Sequence, residues 1–162
     1  MKHIYAPHRS SYFELPRDPE CLFCRILSAD TSQDRQNLVI HRGELSFVML
    51  NKYPYNNGHT MVVPFAHVTY IRDLDQNTLA EIYSFLKLIE KTLFSEYNAD
   101  GVNMGLNIKE AAGAGIIDHI HYHILPRWKG DSNFMTSIAG TRVVPEDFNI
   151  TYRKIQKGFL TK

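Results

Sequence analysis

The sequence has few cysteines and no long hydrophobic run, and both absences exclude classes of protein. Only Cys21 and Cys24 occur among 162 residues, whereas a secreted disulfide framework normally carries more. No apolar run is long enough to cross a bilayer, and the first residues lack the apolar core of a signal peptide. The sequence therefore predicts a cytoplasmic protein without a membrane partner.

Charge of one sign is not in excess either. The formal net charge of +1 gives no general attraction to nucleic acid or to a membrane surface. No nucleic-acid partner is expected, but a small anionic substrate remains compatible because local hydrogen-bond donors decide its binding. The length, without repeats or linker-like stretches, predicts a single domain over residues 1–162.

The clearest helical periodicity lies between Asp75 and Tyr97. Apolar residues recur there every three or four positions over several turns, which predicts an amphipathic helix. Asp73 or Asp75 can cap the start of this helix, and Asn98 follows its end.

Short apolar runs bounded by turn residues predict strands. A hairpin turn at Gly43 joins the first two strands, and Pro126 ends the last one. Strands joined by short turns, with one long helix inserted, indicate an α+β fold built on an antiparallel sheet. The predicted strands cover residues 38–40, 45–50, 60–63, 101–108 and 116–125.

Three histidines, His119, His121 and His123, alternate with apolar residues in the last predicted strand. Residues two apart on a strand point to the same face, so the three imidazoles are expected to line one side of the sheet. The pattern is compatible with a solvated strand face, a metal site or a nucleophile that attacks phosphorus. The last two functions both use neutral imidazole and do not exclude each other.

The segment before these histidines suits an anion. Asn107 ends the preceding strand, and a loop follows in which Gly113, Ala114 and Gly115 carry almost no side chain. Such a loop lets backbone N–H groups approach a phosphate closely, although small-residue loops often only turn the chain. The Cys-x-x-Cys pair likewise leaves metal binding, redox chemistry and two buried thiols open.

Two blocks of the sequence resemble the histidine triad family. Residues 119–125, HIHYHIL, fit its signature His-φ-His-φ-His-φ-φ, in which φ is apolar. Residues 51–64, NKYPYNNGHTMVVP, resemble its other block, in which an Asn precedes Gly-His and an apolar strand. Further segments, such as HILPRW at 123–128, resemble a bacterial branch of the family that includes a diadenosine tetraphosphate phosphorylase.

The resemblance implies a fold and partners. The family fold is a five-stranded antiparallel sheet with one long helix, usually in a homodimer or higher homo-oligomer. Its core would here cover about residues 21–130, between an N-terminal arm at 1–19 and a C-terminal extension at 131–162. The implied substrate is a nucleotide or dinucleoside polyphosphate, joined by inorganic phosphate in a phosphorylase, and no organic cofactor is expected.

The same resemblance implies roles for single residues. His121 is similar to the nucleophile that forms a nucleotidyl-imidazole intermediate, and His123 to its partner beside the phosphate and the leaving group. His59 matches a histidine that supports the triad, and His119 matches the first triad histidine, which holds the geometry of the catalytic set. Asn51 matches a residue that contacts the ribose, and Asn107 one that contacts phosphate.

A structural zinc is also implied. Zinc-containing relatives use two cysteines, a later histidine and the first triad histidine as ligands. The matching residues form a Cys₂His₂ set that leaves no coordination position for an activated water, which is typical of a structural site. They are Cys21, Cys24, His67 and His119.

The sequence departs from the family just before the triad. Many members have Gln-Ser or Gln-Thr there, whose side chains contact the α-phosphate, whereas residues 115–117 are Gly-Ile-Ile. This departure fits a site that admits a second, phosphate-type nucleophile. Beyond the triad, Arg127 is a candidate for binding distal phosphates and Trp128 for stacking on a base, with a surface arginine and a packed tryptophan as alternatives.

The main functional prediction is phosphorolysis of dinucleoside polyphosphates, such as diadenosine tetraphosphate, through a nucleotidyl-His121 intermediate. A hydrolase or a nucleoside phosphoramidase would use the same residues with another acceptor or substrate. A nucleotide-binding module with negligible turnover would keep the pocket without the reaction. A zinc-organised interaction protein would use the histidines only as ligands.

Overall fold

A computed structural model describes residues 20–131 and 146–160. Its centre is one antiparallel sheet of five strands in the order β1-β2-β3-β5-β4. The strands are β1 (Val39–Arg42), β2 (Ser46–Leu50), β3 (Thr60–Pro64), β4 (Gly101–Leu106) and β5 (Tyr122–Arg127). The helices are α1 (Leu22–Ser28), α2 (Gln76–Tyr97) and α3 (Phe148–Leu160). The predicted α+β fold and its five-stranded antiparallel sheet are confirmed, whereas the predicted N-terminal arm lies outside the described residues.

The long helix α2 begins and ends where its capping residues predict. The Asp75 side chain accepts a hydrogen bond from the backbone N–H of Thr78, and Asn98 adopts the left-handed conformation just after the helix. Ile82, Ile89 and other apolar residues of α2 are fully buried against one face of the sheet. We call this side the helix face; it also carries Val62 and Ile124.

The β1–β2 hairpin depends on a glycine for space. A β-carbon at Gly43 would lie 2.6 Å from Glu81 Oε1 and 2.7 Å from Phe85 Cζ, both on α2. The Glu81 carboxylate also accepts hydrogen bonds from the N–H groups of Glu44 and Leu45. Gly43 is therefore needed where the hairpin approaches α2, which the sequence-based turn prediction did not include.

The C-terminal helix α3 belongs to the same core. Ile155 is fully buried in the apolar cluster of the helix face, and the Tyr152 hydroxyl donates to the backbone carbonyl of Val39 in β1 at 2.7 Å. The described part of the predicted C-terminal extension is thus packed against the sheet. In the part of the chain that the structure describes, no helix has the length and hydropathy to span a membrane.

The boundaries of the last strand were predicted wrongly. β5 begins at Tyr122 and not at Ile116, so His119 and His121 precede its ladder, and Pro126 lies inside it. The pairing of β3 with β5 covers Tyr122, His123 and Ile124 and does not reach Pro126. The carbonyl of Pro126 points to the β3 side, where it accepts from Asn56 Nδ2 at 3.1 Å. The missing N–H of the proline therefore interrupts no ladder bond.

Candidate active site

The three triad histidines lie on the face of the sheet opposite the helices. Ile120, Tyr122 and Ile124 belong to the helix-face core, so the alternating histidines point the other way. In register, His123 pairs with Met61 of β3. We call this side the triad face; it carries His121, His123 and the apolar cluster formed by Phe23, Ile26, Val39, Phe47, Met49, Met61 and Val63.

His121 has the geometry of a nucleophile. Its Nδ1 lies 2.9 Å from the carbonyl oxygen of His119. A carbonyl can only accept, so Nδ1 carries the proton and Nε2 keeps its lone pair. The side chain is only 5 % exposed, and this burial lowers the pKa of the imidazole, against a smaller opposing effect of the hydrogen bond to His119. His121 is therefore neutral at neutral pH, with one unprotonated nitrogen.

A second carbonyl determines the tautomer of His119. Nε2 of His119 lies 2.9 Å from the carbonyl oxygen of Pro64 and must donate to it. Nδ1 is then unprotonated, and it faces the two cysteines of α1. Burial lowers the pKa of this imidazole as well. Both properties are those of a metal-ligating histidine with an oriented ring.

A backbone N–H determines the tautomers of His59 and His123. The N–H of Tyr55 donates to Nδ1 of His59 at 3.1 Å, so the proton of neutral His59 is on Nε2. That Nε2 lies 2.9 Å from Nδ1 of His123, which accepts from it. The remaining proton of neutral His123 is consequently on Nε2. The carbonyls of Pro64 and His119 and the N–H of Tyr55 thus set the tautomers of the triad histidines and His59.

Four side chains are arranged to hold a metal ion. The ligand atoms of Cys21, Cys24, His67 and His119 all lie within 4.8 Å of one another. Sulfur–nitrogen distances are 3.4 Å from Cys21 to His119, 3.7 Å from Cys24 to His119 and 3.1 Å from Cys24 to His67. Tetrahedral zinc, with bonds of about 2.3 Å to sulfur and about 2.0 Å to nitrogen, requires S···N edges of about 3.5 Å. The donor set and its spacing fit such an ion.

Phe23 is a contact of the site that the sequence analysis missed. It lies between the two cysteines on α1 and is almost fully buried. Its ring centroid is 5.3 Å from that of His119 and 5.0 Å from that of His121. The Cys-x-x-Cys helix therefore covers one side of His121. Its apolar character was visible in the sequence, but its position against the triad depends on how α1 docks.

The two predicted nucleotide-binding asparagines lie at opposite edges of the triad. The backbone N–H of Asn51 donates to the carbonyl of His59, and its Oδ1 accepts from the N–H of Tyr53. Asn107 follows Leu106, which pairs with Tyr122 at the end of the β4–β5 ladder, and His121 precedes Tyr122 at the same end. Both residues are near the histidines, and their contacts with a nucleotide stay predictions.

The small-residue loop has fewer free N–H groups than the sequence suggests. The N–H of Gly113 donates to the carbonyl of Glu110, and that of Ala114 donates to the carbonyl of Lys109. Gly113 has φ +88°, a value that favours glycine. Among described residues, the N–H of Gly115 makes no such backbone bond. Phosphate binding by this loop stays a prediction, with Gly115 as its best-placed donor.

Arg127 and Trp128 are placed by structural contacts. The Arg127 guanidinium binds Asp131 through Nε and Nη2 and Asn103 Oδ1 through Nη1. The Trp128 indole N–H donates to the carbonyl of Tyr97 at the end of α2. These contacts favour the alternative interpretations of both residues, an arginine held at the surface and a packed tryptophan. Their predicted roles in nucleotide binding gain no support from this geometry.

This combination of a five-stranded antiparallel sheet and a histidine row matches a known family. The family model described as HIT domain matches residues 32–130, and the chain belongs to this family. It is 36 % identical over 165 residues to an enzyme from Mycobacterium tuberculosis, AP-4-A phosphorylase, covering 94 % of this chain and 82 % of that one. It is 30 % identical over 97 residues to the Bis(5'-adenosyl)-triphosphatase of Dictyostelium discoideum, covering 60 % and 64 % respectively.

Solved structures agree with this assignment. A Zn-bound histidine triad family protein from Mycobacterium smegmatis is similar with a TM-score of 0.68 and 28 % identity, over 87 % of this chain and 94 % of that one. A hypothetical histidine triad nucleotide-binding protein from Sulfolobus tokodaii has a TM-score of 0.66 and 29 % identity, over 86 % and 92 %. The fold and family predicted from the two sequence blocks are thereby confirmed.

Proposed function

We propose that this protein cleaves dinucleoside polyphosphates, such as diadenosine tetraphosphate, by nucleotidyl transfer through His121, with inorganic phosphate as acceptor. The observation that carries the proposal is the state of His121: a neutral imidazole, shielded from water, with its proton held by the His119 carbonyl and its Nε2 unprotonated. This is the form of histidine that attacks phosphorus.

The first step forms a covalent intermediate. Nε2 of His121 attacks the α-phosphorus in line, an N–P bond forms, and the P–O bond to the departing polyphosphate breaks. The electron pair of that bond leaves with the polyphosphate oxygen. His123 donates a hydrogen bond from Nε2 to this oxygen, and Asn107 with the N–H of Gly115 stabilises the non-bridging oxygens.

In the second step an acceptor takes the nucleotidyl group from His121. A phosphate oxygen bonds to phosphorus, the N–P bond breaks, and the electron pair returns to Nε2. The products from diadenosine tetraphosphate are then ATP and ADP. Water in place of phosphate would give ATP and AMP. The similarity to a mycobacterial protein named AP-4-A phosphorylase supports phosphate, whereas the triphosphatase relative supports water as the second candidate.

We further propose that Cys21, Cys24, His67 and His119 hold one zinc ion with a structural role. A closed Cys₂His₂ shell leaves no position for substrate, so the ion would hold α1 and Phe23 against the triad. Reduced thiols at this site fit a cytoplasmic location. Elemental analysis of purified protein should find about one zinc per chain, and Cys24→Ser with His67→Ala should remove it. Full zinc content in that double variant would refute this ligand set.

A homodimer is the proposed assembly. β4 is at an edge of the sheet, and Met104 on this strand and Tyr83 on α2 are exposed. Apolar side chains next to an unpaired strand edge favour association with a second copy. Sedimentation at several protein concentrations should give twice the chain mass.

Product analysis tests the proposed reaction. The protein is incubated with diadenosine tetraphosphate, with and without inorganic phosphate, and nucleotides are separated by chromatography. We expect ATP plus ADP only in the presence of phosphate. ATP plus AMP in both samples would instead establish a hydrolase. If neither sample contains products, a nucleotide-binding module or a phosphoramidase becomes the better interpretation.

A further inference from the structure

The residue opposite His123 on the edge strand has no side chain. Gly105 of β4 pairs with His123 of β5 in the antiparallel register, so a side chain at position 105 would point to the triad face. A β-carbon built there meets no described atom within 4 Å. Among residues 20–131 and 146–160, none therefore fills the space next to His123 on the β4 side, away from Met61.

This space is on the side of the intermediate that the acceptor must use. In an in-line displacement, the departing polyphosphate and the incoming acceptor occupy the position opposite His121. In the proposed mechanism His123 is the histidine next to that position, because it donates from Nε2 to the oxygen that leaves or arrives. A group at position 105 would stand about 4.5–5.5 Å from the β-carbon of His123, within reach of its imidazole.

The residues around the space are polar. Asn103 on β4 and Asn107 just after it flank Gly105 on the same side, since residues two apart in an extended chain share a face. Asn103 Oδ1 accepts from Arg127 Nη1 at 2.7 Å, and the Arg127 guanidinium is itself paired with Asp131. The amide groups of the two asparagines offer hydrogen-bond donors to a phosphate oxygen, which an apolar lining would not.

We propose that Gly105 determines which acceptor resolves the nucleotidyl-His121 intermediate, because the space it leaves beside His123 admits inorganic phosphate where a side chain would admit only water. The inference rests on the proposed function. In both outcomes the N–P bond breaks and its electron pair returns to Nε2 of His121. With phosphate, the acceptor oxygen brings no proton that must be removed. With water, one proton passes to solvent as the O–P bond forms.

The test is the product ratio of Gly105→Val and Gly105→Ala. Diadenosine tetraphosphate is cleaved at a fixed phosphate concentration, and ADP and AMP are counted after limited turnover. The ratio reports how one intermediate partitions, so a reduced folded fraction does not change it. We expect little AMP from the wild type, and we expect the share of AMP in the sum of AMP and ADP to rise at least about tenfold in Gly105→Val and less in Gly105→Ala, in the order of added volume.

Gly101→Val is the matched control. Gly101 is on the same strand and face, it pairs with Arg127, and its β-carbon would also meet no described atom within 4 Å. The substitution makes the same change in strand propensity, four residues away from the opening. Its ADP:AMP ratio should equal that of the wild type.

Two outcomes overturn the inference in distinguishable ways. If the wild type forms ADP with phosphate and Gly105→Val keeps the same ratio, the reaction stands but Gly105 does not select the acceptor. If the wild type forms AMP and no ADP at any phosphate concentration, the proposed phosphorolysis itself is wrong, and the inference is lost with it.

Discussion

The two faces of the sheet are built from the same strands, yet one buries mainly apolar side chains and the other also holds the histidines and cysteines. The helix face buries the larger apolar cluster, in which Ile82 and Ile89 of α2 and Ile155 of α3 are fully buried. The triad face buries a smaller cluster under the short helix α1 and surrounds it with histidines and cysteines. The difference indicates that stability comes mainly from the helix face, and that the triad face holds polar groups which a larger apolar core would exclude.

His121→Ala should give the largest effect, and mainly on activity. Loss of the proposed nucleophile is expected to lower kcat for diadenosine tetraphosphate by at least about 10⁴-fold. The side chain is buried against Phe23, so its truncation also costs some unfolding free energy, but the core of the helix face is untouched and the variant should stay folded. Rapid-quench assays and urea unfolding measure the two quantities. Turnover near the wild-type rate would show that the nucleophile has been assigned to the wrong residue.

Ile89→Ala should give the converse result. Ile89 is fully buried on the helix face, and its truncation should cost about 2–5 kcal/mol of unfolding free energy. Ile89→Val, which removes one methyl group, should cost about 0.5–1.5 kcal/mol. At a temperature where both variants remain folded, kcat should stay within about twofold of wild type. A large loss of kcat in folded Ile89→Ala would show that the faces are coupled.

Glu81→Gln should weaken the junction between α2 and the hairpin in a pH-dependent way. Burial raises the pKa of the Glu81 carboxyl, but hydrogen bonds from Ser46 and from the N–H groups of Leu45 and Glu44 together lower it by more. The net pKa is therefore below its ordinary value. A carboxyl group whose pKa is depressed by folding contributes stability at pH values above its unfolded-state pKa. This stability is lost as the pH falls through the folded-state pKa.

The expected cost at neutral pH is about 1.5–3 kcal/mol, since charged hydrogen bonds are lost. The difference from wild type should shrink as the pH falls below about 4. Urea unfolding at several pH values measures it, and Glu90→Gln, on the same helix, is the control. A difference that does not vary with pH would contradict the role of the carboxylate charge.

Trp128→Phe should have the smallest effect and decides between two interpretations of one residue. It removes the indole N–H that donates to the Tyr97 carbonyl at 3.1 Å, at a cost of about 1 kcal/mol. The KM for diadenosine tetraphosphate should not change, because this contact lies at the end of α2. A tenfold higher KM would instead support the predicted stacking on a base.

The predictable elements are those with strong local signals. The periodicity and the caps of α2 predicted its boundaries to within a residue, because Asp75 and Asn98 act on neighbouring backbone groups. The boundaries of β5 could not be obtained this way. Pro126 is tolerated because β3 does not extend far enough along β5 to pair with it. This is a property of the strand pairing and not of the local sequence.

The same division applies to the site. The alternation of His119, His121 and His123 was sufficient to predict three imidazoles on one face, since the period of an extended chain is two. The sequence by itself also determined the family, and it predicted the four side chains whose ligand atoms the fold brings within 4.8 Å of one another. Only the tertiary structure decided the tautomers of His119 and His123, because their partners, the Pro64 carbonyl and the His59 side chain, are distant in sequence. The backbone groups that set the tautomers of His121 and His59 are close in sequence. Folding also placed Phe23 against His121 and Gly105 opposite His123, since long-range contacts have no local signal.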